Sequence, residues 1–333
     1  MRLPRLNRNS RVLFTIIGSV VVPATLTLLT FSDSWRRLNP DRGASPYGYT
    51  VSLLLYLVPI GALAVWFRGL RGSACQGSAF RWTLGLLVPL GFLLDLAFGN
   101  TFLEFPNHDA ILGLFVPGFS FATGGWESTL PLEEFVFYVT GFVAILLVYI
   151  WCDESWLSAY GKQSRSLQQP HHLLRLHRGA ALYGIIAIIG ALLIKKLGPL
   201  EHRDGWPWYL VFLVIAAVLP SLVGFRAVQP LINWQAFSLT FTWVLLTSLL
   251  WEATLAIPNG WWGYNPKYMV GIFITAWHGL PLEAVLVWLA VTFTTVIVYE
   301  FLRLVMSLDR PLGAALIGNG TFLEWLVDFL RND

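Results

Sequence analysis

Apolar residues in this chain come in long blocks separated by short polar stretches, and they do not alternate as they would in a strand. Eight blocks approach the roughly 20 residues that a membrane-crossing helix needs. They are residues 12–31, 50–67, 80–98, 131–151, 174–194, 207–225, 235–257 and 281–304. The stretch 32–49 between the first two is turn-rich, with Asp33, Asn39-Pro40-Asp41, Gly43 and Pro46. The pattern predicts an all-α, polytopic fold with about eight transmembrane helices. Residues 152–173 form the longest charged stretch and predict a polar linker between a first membrane repeat, 1–151, and a second, 174–304. In the tail, 305–333, Leu312, Leu316, Leu323, Leu326 and Leu330 are mixed with Glu324 and Asp328, which predicts an amphipathic helix on the membrane surface.

Two of these blocks open alike. Pro131-Leu132-Glu133-Glu134 precedes the apolar run Phe135 to Tyr149, and Pro281-Leu282-Glu283-Ala284 precedes Val285 to Tyr299, 150 residues later. The second block of each half carries an interior proline, Pro59 or Pro220, and the third is followed by Pro106 or Pro258. Four helices per half is an even number, so the pattern predicts two parallel repeats related by an axis along the membrane normal, with a site at their interface. Alignment on Pro106 and Pro258 sets Glu252 opposite Asn100 and not opposite Asp95.

Composition strengthens the membrane reading. The chain is 56% hydrophobic and 12% charged, against about 25% charged in soluble domains. A net charge of +3 with no concentrated basic face argues against a nucleic-acid partner. The basic N-terminus (Arg2, Arg5, Arg8, Arg11) leads into an apolar block that is long and lacks a small-residue cleavage site, so it is expected to be a retained span. With that end cytoplasmic, fifteen basic residues fall inside and seven outside. Both termini are therefore expected on the cytoplasmic side of the cell membrane. Cys75 and Cys152 are the only cysteines and make neither a disulfide framework nor a thiolate metal cage.

The candidate chemistry is acidic. A carboxylate at the lip of a membrane helix is costly unless it is paired, hydrated or protonated. With Pro131 at the first helical position, Glu133 takes the third, where it can also simply cap free N–H groups. Asp95 lies deep in an apolar run, and Trp251-Glu252 ends the matching run of the second half. Asp95, Glu133, Glu134, Glu252 and Glu283 are thus expected to converge at one depth. Phe135, Phe137, Tyr138, Trp243, Trp251 and Trp288 lie inside spans where they can line a cavity, while Trp126, Trp261, Trp262 and Tyr264 flank the spans, either as an interfacial belt or at a cavity mouth. Glu104, His108, Asp109 and Glu127 read as exposed loop residues. No Asp-x-x-x-Asp pair and no cationic residue between Gly99 and Thr129 would hold Mg2+ and a diphosphate, and His171, His172, His177 and His202 do not form a metal set. No dinucleotide-binding glycine motif or Ser-His-Asp arrangement stands out. A proton-coupled transporter or an assembly subunit remains compatible with two such repeats.

These motifs together resemble the integral membrane lycopene cyclase family, found as paired small subunits in some bacteria and archaea and as a fused domain in fungi. The resemblance rests on Pro131-Leu132-Glu133-Glu134, Pro281-Leu282-Glu283, Asp95, Trp251-Glu252 and Trp261-Trp262-Gly263-Tyr264, and covers most of 50–151 and 207–304. It implies a fused two-repeat enzyme that closes the end of a linear, lycopene-like polyene drawn from the bilayer. Glu133 with Glu134 or Asp95 would protonate a terminal double bond, and Glu252 or Glu283 would remove a proton at the end. Trp251, Trp261 and Trp262 would shield the cation. Such a reaction rearranges atoms and requires no redox cofactor. The resemblance also implies association with other carotenoid-pathway enzymes; a related cyclase, hydratase or prenyl-transfer enzyme is the nearest alternative.

Overall fold

The computed structural model describes residues 8–30, 46–68, 74–161, 173–198, 204–308, 313 and 316. Eight long helices organise it: α1 Arg8–Thr30, α2 Gly48–Arg68, α3 Ala74–Phe102, α4 Leu132–Trp156, α5 Arg178–Leu197, α6 Trp208–Val228, α7 Trp234–Ala256 and α8 Leu282–Ser307. Helices α2 to α8 are long and apolar enough to cross a membrane; the apolar stretch described in α1, Ser10–Thr25, is shorter. The chain therefore has the architecture of a multi-pass membrane protein, with seven such helices among the described residues, where eight spans were expected. Pro59, Pro89 and Pro220 lie inside α2, α3 and α6, as membrane helices tolerate when neighbours satisfy the freed carbonyls. The tail beyond Leu308, residues 162–172 of the 152–173 linker and the stretch 32–45 fall outside the described residues, apart from Gly313 and Leu316.

Three expectations change. The domain boundary at 151 falls inside a helix, because α4 continues through a π-helical turn, Cys152–Trp156, whose first two residues are buried. The all-α expectation omits three two-stranded antiparallel ladders, all in the loops after α3 and α7. They are β1 Leu103–Glu104 with β4 Gly263–Tyr264, β2 Phe115–Ser120 with β3 Gly125–Pro131, and β5 Phe273–Ile274 with β6 Leu280–Pro281. Loop backbone at this end must still find hydrogen-bond partners, and short ladders supply them. Finally, Pro131 and Pro281 sit just before their helices in extended geometry, so Glu133 and Glu283 are second rather than third in theirs.

The duplication is visible in the packing. Helix α4, almost wholly buried after Thr140, contacts α2, α3, α7 and α8. In the first repeat α2 and α3 flank α4; in the second α6 and α7 flank α8. The loops repeat as well. Asn107 and Asn265 each open a 3-10 turn, with their side chains accepting from the N–H of Asp109 and Lys267, both at 3.2 Å. The two loops then clasp each other: the Asn107 N–H donates to Gly260 O (3.1 Å) and the Asn265 N–H to Phe102 O (2.9 Å). Leu132 N donates to Leu114 O and Leu282 N to Ile272 O, both at 2.9 Å. This register steps by 158 residues from Asn107 to Asn265 but by 150 from Pro131 to Pro281. The difference is the β2–β3 hairpin, which only the first repeat extends.

At the other end of the bundle a buried polar layer ties the repeats together. The Tyr149 hydroxyl donates to Glu300 (2.9 Å) and accepts the Asn233 N–H (3.2 Å). Arg303 pairs with Glu300 (3.1 Å) and Asp153 (3.4 Å), and the Asn233 amide donates to Asp153 (3.1 Å). Tyr149→Phe strips the acceptor from a buried N–H and should cost about 1–3 kcal/mol, read as a lower unfolding temperature of the purified protein in detergent. An unchanged temperature would show that the layer is wetted.

Candidate functional site

The end of the bundle crossed by the paired loops holds all five expected carboxylates, and each is buried. They divide into two kinds. Glu133 and Glu283 serve the backbone. Glu133 Oε1 accepts the Leu112 N–H (2.7 Å) and the Thr50 hydroxyl (2.5 Å). Glu283 Oε1 accepts the Val270 N–H (2.5 Å). Leu112 and Val270 are equivalent in the loop register, so the two glutamates do the same work: each pins its repeat's loop onto its own helix. Neither lines the cavity described below. Both were expected at the chemistry, Glu133 as proton donor and Glu283 as acceptor; here Oε1 of each is engaged by a loop N–H, while Oε2 of each has no hydrogen-bond partner among the described residues.

Glu134, Asp95 and Glu252 form the second kind. Tyr49, at the start of α2, donates to Glu134 Oε2 at 2.7 Å. Tyr138, one turn along α4, lies beside Asp95, which is in turn close enough to Glu134 for the two carboxyls to interact electrostatically. Asp95 Oδ2 has no partner among the described residues. Across the cavity Glu252 Oε2 accepts from the Tyr264 hydroxyl at 2.6 Å, and Oε1 lies 3.4 Å from Trp288 Nε1. Burial, with Glu252 beside it, raises the Tyr264 phenol well above its ordinary range. It therefore stays a neutral donor to the carboxylate.

Tyr138 and Trp288 stand 150 residues apart, as the two Pro-Leu-Glu motifs do, and each stands beside the acid of its own repeat's third helix. Asp95 and Glu252 stand 157 apart, one short of the loop step. The missing residue is the extra one in the π-helical turn Glu252–Ala256. Glu252 is thus the counterpart of Asp95, and the alignment on Pro106 and Pro258 that set it opposite Asn100 is corrected. Asn100 instead fastens the hairpin, donating to Gly118 O and Glu127 O and accepting from Thr129.

A cavity of about 80 Å³ opens between Glu134 and Glu252; Asp95, beside Glu134, is not among its lining residues. It is lined by Glu134, Phe137, Tyr138 and Phe142 from α4, Trp251 and Glu252 from α7, Val287, Trp288 and Val291 from α8, and by Tyr49, Tyr209, Trp262 and Tyr264. No cationic side chain is among its lining residues. Trp251 is the hub of the aromatic wall, with ring centroids 4.7 Å from Trp262, 5.0 Å from Phe137 and 5.9 Å from Tyr49. Among the expected aromatic residues, Phe137, Trp251, Trp262 and Tyr264 line the cavity. Trp261 does not: it packs flat on the backbone of Gly48, where a Cβ would come within 2.5 Å of its ring. Trp126 does not either, being 66% exposed on β3 beside Phe119. Their positions next to a turn and on a hairpin explain both departures.

The sequence did not single out Tyr49 or Tyr209, whereas Tyr138 was expected among the cavity-lining aromatics and is there. The signal for Tyr138 is its place four residues after Glu134, matched by Trp288 four after Ala284. Tyr49 gives no signal, because its role depends on the left-handed turn at Tyr47 that swings it under the loops. Among the described residues no group of three or more His, Cys, Asp or Glu is arranged to hold a metal ion. No family model, curated protein or solved structure matches the chain.

The two kinds of carboxylate predict opposite sensitivities. Glu283→Ala orphans a buried N–H and should destabilise the protein by about 1–3 kcal/mol, whereas Glu283→Gln keeps the acceptor and should stay near wild type. Thermal unfolding of both variants checks this. Equal losses would mean that the charge, not the hydrogen bond, matters.

Proposed function

We propose that this protein cyclises the end group of a linear, lycopene-like isoprenoid by adding a proton to one double bond and removing another from the product cation. The observation that carries the reading is that buried carboxyls from both repeats face one aromatic cavity whose lining has no cationic side chain. An apolar alkene suits such walls, while a diphosphate would find no counter-charge there.

In this reading the Asp95–Glu134 pair is the acid. Two carboxyls in electrostatic contact and away from water hold a proton between them rather than both ionising. The proton moves to the terminal carbon–carbon double bond at its less substituted carbon, leaving a tertiary cation. The neighbouring internal double bond supplies its electron pair to that cation, closing a six-membered ring and passing the positive charge to a ring carbon. Glu252 then takes a proton from an adjacent carbon, and the ring alkene forms. One proton enters and one leaves, so substrate and product have equal mass. Tyr264 and Trp288 donate to Glu252 and hold it aimed, while the faces of Trp251, Trp262 and Trp288 stabilise the cation and exclude water. Glu133 and Glu283 position the loops. The protein acts in a multi-pass membrane setting, with both termini on the cytoplasmic side.

Expression in a bacterial host that accumulates lycopene tests this. The expected product has the mass of lycopene with altered absorption and retention; unconverted lycopene would remove this substrate. Glu134→Gln and Glu252→Gln should each lower conversion by at least about 100-fold, and Tyr264→Phe by about tenfold. Membrane insertion should be unchanged in all three. Full conversion by both Gln variants would overturn the site assignment.

A further inference from the structure

We propose that an elongated apolar isoprenoid chain reaches the cavity sideways from the bilayer, through the crevice between α3 and α6, past Phe98 and Phe212. The inference rests on the reading that the cavity receives the end of such a chain.

The argument comes from where the duplication fails. By the repeat, the crevice between α3 and α6 corresponds to the one between α7 and α2. That second crevice is shut. Helix α1 lies along both α2 and α7, with Trp243 Nε1 of α7 donating to Ser19 Oγ of α1 (2.8 Å) and lying 3.2 Å from Ile16 O. Beneath it, Tyr56 of α2 and Ser248 of α7 share a buried hydrogen bond of 2.7 Å. The counterpart of α1 is α5, and it does not repeat this cover. It lies along α6 and not along α3. The mouth between α3 and α6 is instead filled by rings: Phe98 against Phe212 (5.8 Å between centroids), and Phe102 against Tyr209 (4.9 Å) and Phe212 (6.0 Å). Phe121 from the hairpin stacks on Phe98 from above, at 5.6 Å.

The seam leads inward. Tyr209 lines the cavity, and Phe212 and Phe98, both half-buried, stand outside it. Turning the rings aside breaks no main-chain hydrogen bond, whereas opening the opposite crevice means displacing a helix and breaking the Tyr56–Ser248 bond. The dimensions require some such movement. A cavity of about 80 Å³ is smaller than the roughly 150 Å³ apolar cavity that holds benzene, so a branched chain end fits only when lining rings swing. The occupant is a slender hydrocarbon because the seam is aromatic carbon, with the Tyr209 hydroxyl its one polar group. Leu86, Leu90 and Leu93 of α3 are exposed apolar surface.

The test uses the full chain in liposomes with farnesol carrying a diazirine, photolysed and mapped by peptide mass spectrometry. Label is expected on α3 around Phe98, on α6 around Phe212 and on the cavity face of α8. Cavity labelling should rise several-fold in Phe98→Ala/Phe212→Ala and fall several-fold in Phe98→Trp/Phe212→Trp. Because the two double variants act in opposite directions, a folding defect in one cannot reproduce the pattern. Label confined to α1, α2 and α7, or cavity labelling unchanged in both double variants, overturns the proposal. Labelling as expected without ring formation from lycopene keeps this route and removes the cyclase reading; ring formation with label confined elsewhere does the reverse.

Discussion

A carboxyl group taken into a membrane protein is stable only where hydrogen-bond donors replace its water, since the desolvation cost amounts to several kcal/mol per charge. Five such groups lie at one end of this bundle, and the architecture of that end follows from supplying them. The loops after α3 and α7 fold back to present a main-chain N–H to Glu133 and to Glu283. Each loop also donates a backbone hydrogen bond to the other repeat. The result is a rigid cap in which the remaining acids face inward and meet phenol and indole donors rather than lipid.

Duplication explains the frame, and its defects explain the chemistry. Where the first repeat has Glu134 the second has Ala284; where the first has Asp95 with Tyr138 the second has Glu252 with Trp288. One station therefore holds two neighbouring carboxyls, Asp95 and Glu134, and the other holds Glu252 alone. The same logic applies to the outer helices. With α1 sealing one crevice and α5 leaving the other to aromatic rings, a nearly symmetric bundle acquires a single soft side.

Much of this was legible in the chain. Apolar blocks gave the long helices, because in a membrane burial needs no amphipathic stripe. The Pro-Leu-Glu spacing pointed to the two helices, α4 and α8, whose first turns carry buried glutamates under the loops. What stayed hidden depended on contacts that local pattern does not carry. Glu133 and Glu134 are adjacent in sequence, yet one points to a loop N–H and the other to Tyr49, so their roles separate only once the loop register is known. Pro106 and Pro258 look equivalent in the sequence, but the loop register sets Pro106 opposite Tyr264, and aligning on the two prolines disguised the match between Asp95 and Glu252. Trp261 and Trp262 look interchangeable, but the left-handed turn at Tyr47 sets one on the Gly48 backbone and leaves the other facing the cavity.

The account reduces to a proton delivered to carbon by the buried acids and a different proton taken away. Carrying out the conversion of lycopene by isolated membranes in D2O examines that directly. The acid pair exchanges with solvent, whereas the proton removed at the end comes from the substrate, so each ring closed should carry one carbon-bound deuterium. A cyclised product of unshifted mass would contradict protonation as the trigger.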